Sequence, residues 1–209
     1  MKKDLRIKLT AYVLCTLLLI IGACGRTQTA KFYTLNALTD PQPGEQAVRS
    51  GEEAAVGLGP IRLPEYLDRP QIVTRAGPNE VRFADYHRWA GPLAGHVSSI
   101  LAENLSNLLG SNRVALFPWK STTPIDCRVE IDIGRFDGKP GGTVVLQSRW
   151  TVFPEDRKRV LASKSSSLSE PVNGNGYEAL VAAQSRALAA LGREIAEAIR
   201  SLPPETPEE

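Results

Sequence analysis

Histidine, cysteine, methionine and aromatic residues are all scarce in this 209-residue chain, at two, three, one and 6% respectively. His87 and His96 stand nine positions apart with no cysteine or acidic ligand pattern nearby, so no zinc-type site is expected. Gly95-His96-Val97-Ser98-Ser99 gathers a histidine and two serines, but it falls inside an amphipathic helical pattern and does not match a nucleophile elbow. Gly138 to Gly142 (GKPGG) lacks the Ser/Thr that ends a phosphate loop and reads as a turn between two strands. With these patterns missing, the sequence predicts no catalytic residues, no metal and no cofactor. Lys and Arg are not clustered, so a nucleic-acid binder's electrostatic footprint is lacking. No apolar run approaches the ~20 residues that a spanning helix needs. There is also no internal repeat.

The longest apolar stretch is at the N-terminus, from Leu9 to Ala23, behind the basic residues Lys2, Lys3, Arg6 and Lys8. This is the layout of a secretory signal, so residues 1–23 are expected to be a signal peptide. Ile21-Gly22-Ala23-Cys24 resembles the bacterial lipobox. The resemblance implies a diacylglycerol on the Cys24 sulfur and a third acyl chain on its new amino group. Each buried methylene contributes about 0.8 kcal/mol, so a triacylated terminus is a sufficient tether. Glycine at position 25, in place of the aspartate that retains lipoprotein precursors at the inner membrane, predicts an outer-membrane, periplasm-facing protein. Removing the signal takes the formal charge from +2 to about −1, so the basic balance belongs to the leader.

Cys15 is lost with the signal and Cys24 is acylated, which leaves Cys127 as the one thiol and no disulfide within the mature chain. Cys127 alternates with Val129, Ile131 and Ile133, and is expected to be buried. Residues 38–53 are polar and Pro/Gly-bearing, hence a loop, and 202–209 read as a disordered tail. Strands are expected over Phe32 to Leu35, Ala54 to Ile61, 71–75, 80–84, Arg113 to Phe117, Cys127 to Ile133, Val144 to Phe153 and Arg159 to Leu168. Ala76-Gly77-Pro78-Asn79 marks a hairpin turn. Helices are expected from Pro92 to Leu109 and from Gly176 to Ser201, each with an apolar stripe at 3.6-residue spacing. Trp89, Trp119 and Trp150 are read as core or interface packing, with a ligand-groove lining as the alternative. The order of elements predicts one α+β domain over residues 24–201, a two-layer sandwich with a mainly antiparallel sheet covered on one face by two helices.

Arg69-Pro70-Gln71-Ile72-Val73, a hairpin, and then Arg88-Trp89-Ala90-Gly91-Pro92-Leu93 opening a helix resemble the PqiC-like family of ABC-type transport auxiliary lipoproteins. Phe32-Tyr33-Thr34-Leu35 is similar to that family's first strand, and glycine at 91 stands where its members commonly carry an acid. The resemblance implies a non-enzymatic auxiliary of an MCE-type ABC phospholipid transport system that supports membrane integrity. Its partner would be an MCE-domain protein of the inner-membrane transporter, with phospholipid as a further ligand and homo-oligomerisation left open. Arg69, Arg88 and Trp89 are then the candidate partner-binding residues, although the same two segments could serve only to shape the hairpin and start the helix. The alternative from another class is a pilotin-like or envelope-assembly lipoprotein acting as a binding module.

Overall fold

The computed structural model describes residues 28–37 and 55–203, together with Tyr12. The expected signal peptide, the lipidated Cys24, the expected loop at 38–53 and residues 204–209 of the expected tail lie outside the described residues. The elements are β1 (Lys31–Tyr33), β2 (Val56–Arg62), β3 (Gln71–Gly77), β4 (Glu80–Trp89), α1 (Leu93–Leu109), β5 (Val114–Leu116), β6 (Cys127–Gly138), β7 (Thr143–Pro154), β8 (Ala162–Pro171) and α2 (Tyr177–Arg200).

α1 starts after Pro92, whose fixed backbone suits a helix start, and stops at Gly110, which adopts φ 64° and returns its N–H to the Ser106 carbonyl. Its buried stripe is Leu93, Val97, Leu101, Leu105 and Leu108. α2 buries Leu180, Leu188, Leu191, Ile195 and Ile199 along with Ala183, Ala187 and Ala196. The small residues let the helices approach closely: a Cβ at Gly192 would stand 3.3 Å from that of Asn104. Both helices cover one side of the sheet, and their stripes merge with its inward residues into one apolar core.

β6 is the central strand. One edge pairs with β7 in antiparallel register from Cys127↔Pro154 to Gly138↔Val144, and β7 continues into β8. The other edge is divided: β2 runs parallel to its first half, while β3 meets its far end at Thr74↔Gly138. β5 extends β2 in parallel. β4 extends β3 as the expected hairpin, and β1 adds to β4 in parallel.

The helices and most strand positions agree with the sequence-based expectation, but the sheet is curled and mixed, not mainly antiparallel. The reason lies in the connections. Between β2 and β6 the chain makes a hairpin, a helix and a short strand, and it returns to β6 in the same direction as β2, as crossovers do. Alternation along a strand identifies its faces and is silent about its neighbours.

A bulge at Gly134 shifts the β6–β7 register between Ile133 and Arg135. Before it Cys127, Val129, Ile131 and Ile133 point to the helices; after it Phe136 does, and Asp137 takes the opposite face. The inverted phase explains why the sequence pattern ends at Ile133 while the strand continues to Gly138. Cys127 is buried, as its alternation predicted.

Candidate functional site

The hairpin β3–β4 and the edge strand β1 form a wing that touches the rest of the sheet mainly at the far end of β6. One residue pair is too little to fix it, and a buried polar node completes the joint. Asp137 is wholly buried on the outer face of β6, opposite the helices. Arg75 grips it with Nη2 at 2.5 Å and Nε at 3.1 Å, Arg135 Nε donates at 2.9 Å, and the Tyr66 hydroxyl donates at 2.9 Å. Burial works against the Asp137 charge, but these donors outweigh it and hold its carboxyl below the usual carboxylate range. Burial, followed by donation to Asp137, pushes the Tyr66 phenol up to about 12. The node joins β6, β3 and the β2–β3 connection, and removing the carboxylate would leave two arginines facing each other without it.

The helix-facing side of the wing is packed. Trp89 is 4% exposed, donates its backbone N–H to the Pro70 carbonyl at 2.7 Å, and meets His96 edge-on with ring centres 6.3 Å apart. The expectation of Trp89 as a partner-binding side chain is therefore corrected: its indole is core, because β1 pairs outside it at Tyr33↔Trp89 while α1 lies against it. Gly91 matters to the same packing. A Cβ there would stand 3.1 Å from His96 Nε2, so His96 occupies space that an acidic side chain would need. Next to Trp89, the Tyr33 hydroxyl lies 2.7 Å from His87 Nδ1, and the His87 ring stacks on Tyr177 at 3.8 Å. Burial, with Lys31 nearby, depresses the His87 pKa below the ordinary histidine value. Burial also raises that of Tyr33, with Glu178 and Tyr177 adding to the shift.

The outer side of the wing is different. Phe32 lies opposite Arg88 in the β1–β4 ladder and Arg88 lies opposite Gln71 in the β3–β4 ladder, so the three share the face turned away from Trp89. Phe32 is 64% exposed and Arg88 is exposed, with its Nε reaching only the Asp85 carbonyl at 3.4 Å. Farther along, Phe83 is 43% exposed and carries the Arg69 guanidinium 3.8 Å above its ring. The structure thus brings Arg69 and Arg88 to one outer face and turns Trp89 to the other. Sequence reasoning passed over Phe32, Phe83 and the Asp137 node. Its available signal was the aromatic alternating with charge in Glu80 to Arg88, and Asp137 falling just after a broken alternation.

Two open troughs flank these elements. One, of about 610 Å³, follows the Gly134 bulge past Gln147, Arg149, Ser165 and Ser167; the other, of about 500 Å³, lies between Arg82, His87, Lys139 and Tyr177. Neither sets a nucleophile against a general base. Among the described residues no group of three or more His, Cys, Asp or Glu could hold a metal ion.

Against known proteins, no curated protein sequence matches the chain. Among solved structures, the chain is similar to an uncharacterised protein at 18% identity and TM-score 0.66, over 82% of this chain and 99% of that one. It is similar also to a protein of Xanthomonas campestris at 18% identity and TM-score 0.65, over 81% and 97%. At these identities the likeness concerns the fold alone. A family model described as the ABC-type transport auxiliary lipoprotein component matches residues 33–196, from β1 into the last turns of α2. The chain belongs to the family of ABC-type transport auxiliary lipoprotein components.

Proposed function

We propose that the protein is a non-enzymatic lipoprotein of the outer membrane, tethered by acylated Cys24, which serves as an auxiliary component of an MCE-type ABC phospholipid transport system. The family match across residues 33–196 is the observation that carries this reading, since it spans β2 to β8, all of α1 and most of α2. The lipobox resemblance at Ile21 to Cys24 supports the tether. The surface chemistry is consistent with binding: Arg88, Phe32 and Phe83 stand exposed on the wing with Arg69 part-buried over Phe83, while the helix-facing side is spent on packing. In this role the domain over residues 24–201 meets an MCE-domain protein arriving from the inner membrane, and phospholipid with it, and so supports membrane integrity. Arg69 and Arg88, on the wing's outer face, are the proposed contact residues for the phospholipid.

Affinity capture of the mature protein from native membranes, with identification of the co-purifying proteins and lipids, tests the reading. An MCE-domain protein is the expected partner. Recovery of secretion-channel proteins in its place would favour the pilotin-like alternative and overturn the transport role. Mass spectrometry of the same material is expected to show a mature terminus at Cys24 carrying acyl chains; a terminus elsewhere, or an unmodified cysteine, overturns the tether.

A further inference from the structure

We propose that the outer face of the wing, centred on Phe32, Phe83, Arg69 and Arg88, rests on the lipid surface of the membrane that anchors the chain and so fixes the domain's orientation there. The inference rests on acylation of Cys24 and is independent of which transporter the protein serves.

Chain length sets the first constraint. Phe32 lies eight positions after Cys24, and a fully extended chain gains ~3.5 Å per position, so the leash reaches at most ~28 Å. A compact domain of this size is roughly 40 Å across. The leash is shorter than the domain, so the side bearing β1 cannot be turned to the far side from the bilayer.

The chemistry of that side gives the second. Phe32 and Phe83 expose 64% and 43% of their surface on one face of the β1–β4–β3 ladder. Arg69 lies over Phe83, and Arg88 lies beside Phe32. Exposed aromatic rings with a guanidinium stacked on one and another beside the second suit the headgroup layer, where the ring meets the acyl boundary and the cation meets phosphate. The acidic neighbours are Asp68, which precedes Arg69 in the chain, and Asp85, whose carbonyl accepts from Arg88; both are exposed. The charge on the face is therefore nearly balanced, and the patch is too weak to recruit the domain unaided. A tethered domain needs no such recruitment, because the anchor holds the patch at high effective concentration and the patch has only to select an orientation.

A contrast within the same sheet gives the third. The outward residues of β8 are Ser163, Ser165, Ser167 and Ser169, all exposed. Large exposed aromatics are therefore not a general feature of this sheet's outer face. They occur on β1 and β4 of the wing, at Phe32, Phe83 and Tyr86, and at Phe117 just after β5 on the far edge of the sheet.

The test uses the full lipidated protein, reconstituted into vesicles of phosphatidylethanolamine and phosphatidylglycerol and checked for anchoring by flotation. Single cysteines are introduced as Phe32→Cys, Phe83→Cys and Val160→Cys and labelled with a nitroxide. Cys127 is 5% exposed and does not compete for the label. Val160 is the control, because it is exposed in the β7–β8 turn at the end of β6–β7 opposite the wing. Collision with lipid-soluble oxygen relative to a water-soluble nickel chelate is expected to be several-fold higher at positions 32 and 83 than at 160. Equal, chelate-dominated accessibility at all three positions in floated protein overturns the proposal. Shielding of position 32 that appears only when the transport partner is added also overturns it, by assigning the face to a protein. Failure to float indicts the acylation of Cys24 and with it the premise, a result distinct from floated protein with solvent-exposed labels.

Discussion

The β6–β7–β8 meander and the β1–β3–β4 wing belong to one sheet, yet they are held in opposite ways. In the meander the β7–β8 register runs unbroken from Thr143↔Pro171 to Val152↔Ala162, and β6–β7 is interrupted once, at Gly134. Its inward residues Val129, Ile131, Val144, Leu146 and Val152 are fully buried beneath the helices. In the wing the β3–β4 register shifts twice, and a buried carboxylate with three donors stands at the joint. The body is thus secured chiefly by apolar burial, with one buried hydrogen-bonded chain from Trp150 through Ser166 to Glu194, whereas the wing is clamped by a polar node on one face and a tryptophan on the other. A clamped wing can leave aromatics exposed without losing its place.

Breaking the clamp should have the largest effect. Trp89→Ala is expected to lower the unfolding free energy by about 3 to 5 kcal/mol, as for other buried aromatics cut to alanine. Denaturant unfolding of the mature protein measures it. Near-parental stability combined with lost partner capture would return Trp89 to the surface role that the sequence first suggested. Asp137→Ala should cost about 3 kcal/mol, because it leaves Arg75 and Arg135 facing each other beside the part-buried Tyr66 hydroxyl. Local amide exchange is expected to rise in β3 and β4 more than in β7, and a uniform rise would argue that the node stabilises the body as much as the wing.

Acidification separates the two regions by a smaller margin. The folded pKa of His87 lies below its unfolded value, so the unfolded chain binds the proton first as pH falls. The neutral ring's contribution is therefore complete above about pH 6.5 and is lost as pH drops through the depressed folded value. The unfolding midpoint should fall as the pH drops below about 6.5, and His87→Gln should flatten that part of the curve; an unchanged slope would exclude His87 as its source. The Asp137 contribution has the same sign but is present above the normal carboxylate range and is lost only at strongly acid pH. Smallest of all, Arg62→Ala breaks an ion pair with Asp132 in which both side chains are more than half exposed, and it should leave the unfolding midpoint where it was.

The body was largely legible in the sequence. The stripes of both helices, Pro92 and Gly110 at the ends of the first, and the alternation of Val144 to Phe153 follow from periods of 3.6 and 2 that the structure reproduces. The hairpin turn before Glu80 was legible too. Which strands lie side by side was not, because the parallel pairing of β2 with β6 depends on the path of everything between them. The candidate site was legible only by half. Arg69 and Arg88 fall together on one face, but an isolated Trp-Ala-Gly-Pro gives no sign that its tryptophan turns inward against His96. Asp137 was hidden because a one-residue bulge reverses the inward phase just before it.

On the proposed function, the wing's outer face is the working surface and the remainder its support. Phe32→Ser/Arg88→Ser alters only exposed side chains and should therefore leave folding and anchoring intact. The measurement is detergent resistance in a strain that lacks redundant lipid-transport systems and depends on this gene, with the abundance of each variant checked in the membrane fraction. The double variant, present at parental abundance, is expected to fail to restore resistance, while Ser165→Ala/Ser167→Ala on the outer face of β8 restores it fully. Full restoration by the wing variant would contradict the account.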